Sequence, residues 1–204
     1  MKPNDLLEQY AAAWTTATHH PFLDAVRQGT LSTQAFATWL VQDYLFACDE
    51  LAFQARLLAR APRSDQALLT KGLVAMEAEL SWFETQAQQW HLSLDASPHP
   101  ITASYAVFLR SLDHQPYAAT ITALWAVELA YLEAWRSAAP GQPPYQPFVE
   151  RWTSPAFADF VAHLQQAATA ALASSQVDHE AEKAFLEVGR LEREFWQMAW
   201  SGAT

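Results

Sequence analysis

The segment Gln34–Arg60 reads QAFATWLVQDYLFACDELAFQARLLAR, and its periodicity decides the fold class. Phe36, Trp39, Leu40, Asp43 and Ala47 fall at i, i+3, i+4, i+7 and i+11, the spacing of one face of an α-helix. Ser32 or Thr33 precedes it as a cap. Ala61-Pro62 closes it, because a residue before proline is held away from helical geometry. Outward from this segment the same signals recur. Asn4 or Asp5 opens a first helix to Thr18, stopped at His20-Pro21. Ser64 or Asp65 opens a third, to His91. Ile101–Leu112 makes a fourth, and Pro116 begins a fifth, to Ser137. Pro155 begins a sixth, to Ser174, and Asp178 a seventh, to Trp200. Pro140-Gly141-Gln142-Pro143-Pro144 reads as a loop between helices. No segment carries a credible strand pattern. The spacing predicts an all-α fold, a single-domain seven-helix bundle over residues 1–204.

Composition agrees. The chain has 204 residues, 51% hydrophobic and 13% aromatic, which is ample for a core and excludes disorder. Gly is scarce at 5, so an all-β sandwich is disfavoured and no glycine-rich phosphate loop can be drawn. Lys+Arg 12 against Asp+Glu 22 gives a net charge of −10. A surface this acidic repels phosphate backbones and argues against nucleic acid as the main partner. Cys48 is the single cysteine, which excludes a disulfide framework and a cysteine-based zinc site. The N-terminus MKPNDLLEQY has no apolar h-region, and no window approaches a membrane span. The expected location is the cytoplasm.

Chemistry is sought where the helical period expects apolar residues and finds acids. Asp43 lies on the face of Phe36, Trp39 and Leu40, and Glu50 continues that stripe. Glu128 shares a face of the fifth helix with Leu124, Tyr131 and Trp135. Glu192 shares a face of the last helix with Val188, Phe195 and Ala199. A buried carboxylate costs several kcal/mol unless paired or hydrogen-bonded. It can also stay neutral with a raised pKa, which suits a general acid. Each acid alone reads equally well as reaching solvent or pairing with an arginine such as Arg56 or Arg136. Three helices carrying acids with aromatic companions favour an acid-lined aromatic pocket.

Other residues carry less. The seven histidines make no HxxxH or ExxH pair on a helix, so no di-iron site is expected and no metal or cofactor is assigned. Cys48 reads as a small buried hydrophobe rather than a nucleophile. Nothing in the sequence forms a Ser-His-Asp set.

The same residues resemble a known family. His20-Pro21-Phe22, Gly29-Thr30-Leu31, Phe36, Trp39-Leu40 and Gln42-Asp43-Tyr44 look like the N-terminal signature of the TenA/thiaminase II family. Leu191-Glu192-Arg193-Glu194-Phe195-Trp196 looks like its C-terminal signature. Thr102-Ala103-Ser104-Tyr105 and Ala123–Tyr131 fit the middle motifs. The resemblance spans nearly the whole chain in order. It implies a heme-oxygenase-like bundle without heme, and thiamin salvage by hydrolysis at the exocyclic methylene of a pyrimidine, releasing hydroxymethylpyrimidine. It implies that Asp43 binds the aminopyrimidine ring and that Glu192 protonates the leaving amine. Tyr105 and Tyr131 would line the pocket beside Trp39, Phe46 and Glu50, with Phe46 standing where many members carry a tyrosine. A homodimer or homotetramer is also implied.

The departure lies in the nucleophile. Many members carry a cysteine in the fifth-helix motif, where this chain has Val127 followed by Glu128. That matches the cysteine-lacking, glutamate-type branch. A thiol adduct is not available from this motif, so Glu128 becomes a base for water or a charge partner for the substrate amine. An aminomethyl- or formylaminomethyl-pyrimidine breakdown product is then a better substrate than thiamin. Two other readings stand beside the hydrolase. One is a binding or regulatory protein that keeps the pocket without turnover; the other is a cofactor- or metal-using oxidase on the same fold.

Overall fold

The computed structural model describes residues 1–202. Among them are ten α-helices and no strand. These are α1 (Pro3–Gln9), α2 (Ala11–Thr18), α3 (Pro21–Gln28), α4 (Thr33–Arg60) and α5 (Arg63–Gln89). They continue as α6 (Pro100–Ser111), a 3-10 turn (Leu112–His114), α7 (Tyr117–Ser137), α8 (Gln146–Trp152), α9 (Pro155–Ala173) and α10 (Asp178–Ser201). The all-α expectation holds, and the long helices begin and end within a few residues of their caps and prolines. Three short helices exceed the expected seven. Tyr10, at φ −113°, interrupts the first helix and divides it into α1 and α2. Pro21 stops that helix as expected but also opens α3. The Pro140–Pro144 loop is followed by α8. Helices of seven or eight residues span barely two turns, too few for an apolar period to register.

The chain divides into two compact units. The first comprises Met1–Leu31 and Gln115–Gln197. Its centre is α7, buried almost without a break from Ala118 to Glu128, and packed against α2, α3, α8 and α9. A helix apolar on all sides belongs inside, and α7 needs neighbours on every face. Gly29 ends α3 at φ +70°, a left-handed geometry that a side chain disfavours. A Cβ there would also stand 2.9 Å from Gln142 Cβ. Nearby, the buried Tyr145 hydroxyl donates to the Leu31 carbonyl at 2.8 Å.

His20 caps α3 through Nδ1, which accepts from Phe22 N–H at 3.2 Å, while Nε2 faces Gln197 Oε1 at 3.3 Å. A neutral imidazole with its proton on Nε2 satisfies both contacts, and protonating Nδ1 removes the cap. Burial accordingly holds this imidazole below its ordinary 6.5, outweighing the opposing contact with Gln197. The unfolded chain therefore takes the proton first, and stability from His20 is full at neutral pH and lost as pH falls below about 6.5. His20→Asn, which retains a cap acceptor, is expected to lose less melting temperature than wild type between about pH 7 and 5.5. Thermal melts followed by circular dichroism measure this, and equal losses refute it.

The second unit comprises Ser32–His114 with the last residues from Met198. Ser32 Oγ accepts from Ala35 N–H at 3.1 Å and starts α4, which packs against α5 and α6. Phe36 meets Trp90 at 4.5 Å, and Trp39 meets Phe83 at 6.2 Å between ring centroids. Arg56 Nε donates to Asp113 Oδ2 at 2.7 Å, and Arg60 donates to the Leu112 carbonyl at 2.8 Å. These bonds tie the 3-10 turn after α6 back to the end of α4.

Candidate functional site

Among the described residues, the buried charged side chains are Asp43, Glu50, Glu128 and Glu192, at 4%, 4%, 6% and 4% exposure. They are the four acids that the helical period placed on apolar stripes. The remaining carboxylates of this acidic chain lie at least partly in solvent.

In the second unit, Trp39, Asp43, Phe46 and Glu50 are buried along one face of α4. The spacing of three and four residues keeps them aligned over the helix. Gln54, one turn further, is also buried, and its Nε2 donates to Glu50 Oε1 at 3.3 Å. From α6, Tyr105 sets its ring against Phe46 with centroids 4.6 Å apart and planes at 50°. Asp43 therefore stands one turn from an aromatic pair supplied by two helices.

In the first unit, Glu128, Tyr131 and Trp135 follow one another on α7, and Glu192 and Trp196 lie one turn apart on α10. Tyr131 stacks on Trp196 at 6.2 Å and 17°, and Trp135 meets Trp196 edge-on at 5.9 Å. The α7 face bearing Glu128 and the α10 face bearing Glu192 thus meet through aromatic rings. Trp152 of α8 completes the cluster, 5.0 Å from Trp135 and 5.2 Å from Tyr131. The sequence reading missed Trp152 because α8 was not expected. An aromatic wall beside carboxylates holds a flat ring by stacking and a polar edge by hydrogen bonds. Val127, next to Glu128 on α7, is buried.

Cys48 departs from expectation. It is exposed rather than buried, because position 48 has rotated off the stripe marked by Asp43, Ala47 and Glu50. Partial desolvation of the sulfur pushes the thiol above its ordinary value, only partly offset by a hydrogen bond with Tyr44; Asp49 and Glu84 push it the same way as burial. The Tyr44 hydroxyl donates to Glu84 Oε1 at 3.2 Å and is itself pushed up to about 12, first by burial. A thiol held protonated is a poor nucleophile. Iodoacetamide is expected to label Cys48 more slowly at neutral pH than it labels a free cysteine, and Cys48→Ser to keep kcat/KM within about twofold of wild type. A tenfold loss in Cys48→Ser would return the thiol to the chemistry.

No group of three or more His, Cys, Asp or Glu side chains among the described residues is gathered as a metal site would require. No helix of these residues is long and apolar enough to cross a membrane.

Comparison with known proteins follows the same lines. The TENA/THI-4/PQQC family matches residues 7–202 and runs through both units. A probable bifunctional TENA-E protein from Glycine max is 33% identical, over 95% of this chain and 90% of its own length. An aminopyrimidine aminohydrolase from Halalkalibacterium halodurans is 24% identical, over 96% of this chain and 94% of its own. Among solved structures, a TenA homologue from Pyrococcus furiosus superposes with a TM-score of 0.92 at 29% identity, covering 98% of this chain and all of that one. The chain belongs to the TENA/THI-4/PQQC family.

Proposed function

We propose that this protein is a thiamin-salvage hydrolase that releases hydroxymethylpyrimidine from aminomethyl- or formylaminomethyl-pyrimidine breakdown products. The observation that carries this reading is the burial of Asp43, Glu50, Glu128 and Glu192, with Phe46, packed on Tyr105, one turn from the first two, and the stacked rings of Tyr131 and Trp196 one turn from Glu128 and Glu192. Carboxylates are seldom fully buried, and buried ones gather at functional sites. The names of the Glycine max and Halalkalibacterium halodurans relatives support the pyrimidine substrate.

In this reading Asp43 accepts hydrogen bonds from the aminopyrimidine edge, and Trp39, Phe46 and Tyr105 face the ring. Glu50 offsets the positive charge that builds on the leaving nitrogen as it gains a proton. Water attacks the exocyclic methylene carbon, its proton passes to Glu128, and the C–N bond breaks as Glu192 protonates the leaving nitrogen. Tyr131 orients the reacting groups. Atoms and charge balance with water alone, giving the pyrimidine alcohol with ammonia from the aminomethyl substrate and with formamide from its N-formyl form. Val127 removes the covalent route, which disfavours thiamin, whose leaving group is a thiazole. The reading is completed by a cytoplasmic homodimer or homotetramer, which sedimentation equilibrium measures.

The test is turnover of 4-amino-5-aminomethyl-2-methylpyrimidine, its N-formyl form and thiamin, with the pyrimidine alcohol followed by chromatography. Turnover of an aminopyrimidine well above that of thiamin supports the reading. Tight pyrimidine binding without turnover would replace the enzyme by a binding protein.

A further inference from the structure

Gln42 stands beside Asp43 in the Gln-Asp-Tyr element, yet the proposed chemistry gives it no role. Its side chain is buried at 8% exposure and spans from α4 to the start of α6. Nε2 donates to the Ser97 carbonyl at 3.2 Å. Oε1 accepts from His99 N–H at 2.7 Å and from Thr102 Oγ1 at 2.7 Å. The amide orientation is forced, because a backbone N–H can only donate and a carbonyl can only accept. Thr102 in turn lies 3.8 Å from Met198 Sδ.

The geometry has a direction. Thr102 and Tyr105 are one turn apart on α6, and both are buried. Gln42 and Phe46 are one turn apart on α4. The Gln42–Thr102 bond therefore lies one turn before the Phe46–Tyr105 ring pair on each helix. The connection from Leu92 to His99 that precedes α6 is largely exposed, and its backbone bonds Leu92 N–H to Ala87 O at 2.8 Å and Ala96 N–H to Leu94 O at 3.0 Å are local. At this end, the Gln42 amide ties the start of α6 to α4.

We propose that Gln42 is a positioning residue for substrate recognition: its bonds to Ser97, His99 and Thr102 lock α6 so that Tyr105 faces Phe46 and Asp43 at the spacing that grips the pyrimidine ring. This rests on the reading that those three residues hold the ring. Gln42 touches no reacting atom, so its loss changes binding and leaves the chemical step alone.

The experiment compares Gln42→Met, Thr102→Val and Thr102→Ser with wild type. It records KM and kcat on the aminomethylpyrimidine, Kd for hydroxymethylpyrimidine by calorimetry, and helicity by circular dichroism. Gln42→Met is expected to raise KM and Kd about 10–100-fold with kcat within about threefold. Thr102→Val, which removes one bond at nearly constant volume, is expected to raise KM about 3–10-fold, and Thr102→Ser to restore it to within about twofold. If Gln42→Met does not fold, the Thr102 pair decides the matter. Unchanged KM in folded variants, a fall in kcat at constant KM, or Thr102→Ser no better than Thr102→Val would each overturn the assignment while leaving the hydrolase intact. A wild type that neither binds nor turns over the pyrimidine would instead remove the hydrolase reading and this assignment with it.

Discussion

Glu192→Gln is expected to lower kcat on 4-amino-5-aminomethyl-2-methylpyrimidine by about 10²–10⁴-fold, the range spanned by removal of one general acid. The amide keeps the size of the carboxyl but cannot deliver a proton to the leaving nitrogen. Glu192 is buried on α10, one turn from Trp196, whose ring stacks on Tyr131. An isosteric change there leaves the aromatic packing in place. Helicity and pyrimidine binding are therefore expected to survive, with KM changing far less than kcat. The reading fails if Glu192→Gln retains turnover, or if it loses binding and turnover together through unfolding. Glu128→Gln is the companion variant. It is expected to lose turnover by a similar factor, since a base that takes the water proton is as necessary as the acid that gives one. Full turnover in Glu128→Gln would move water activation to another group.

Trp135→Ala is expected to be the most destabilising single change in the first unit, at about 3–5 kcal/mol. Trp135 is fully buried, at 0% exposure, and its ring contacts Tyr131, Trp152 and Trp196 at 6.0, 5.0 and 5.9 Å. Three elements, α7, α8 and α10, meet on this one indole. Its removal discards the transfer free energy of a large apolar group and leaves a cavity that rings on three separate helices cannot close. A chain of this size is expected to lose about 2–4 °C of Tm per kcal/mol, so the drop should reach about 6–20 °C. Val107→Ala, on an exposed face of α6 at 60% exposure, is the control and should lie within about 0.5 kcal/mol of wild type. Urea titration followed by far-ultraviolet circular dichroism measures both. A cost below about 1 kcal/mol for Trp135→Ala would mean that the aromatic cluster does not hold this unit together.

Much of this was legible along the chain. A helical period is a local property, repeated every few residues, so the stripe through Phe36, Trp39, Leu40, Asp43, Ala47 and Glu50 could be drawn from the sequence. The same period marked Glu128 and Glu192, and all four acids are buried. A face can be named without knowing what covers it. The period is less informative at its margins: Cys48 lies just off the stripe, and a rotation of one position carried it into solvent. It is silent for short helices, which is why α3 and α8 went unseen, and with α8 the ring of Trp152. Tertiary structure alone decided which residues meet across helices. Tyr105 on Phe46, Trp135 between Trp152 and Trp196, and Gln42 on Ser97, His99 and Thr102 join residues distant in sequence. Each pairing depends on the registry of one helix against another. That registry is set by how whole side chains interlock, a property of the packed core that no local spacing encodes.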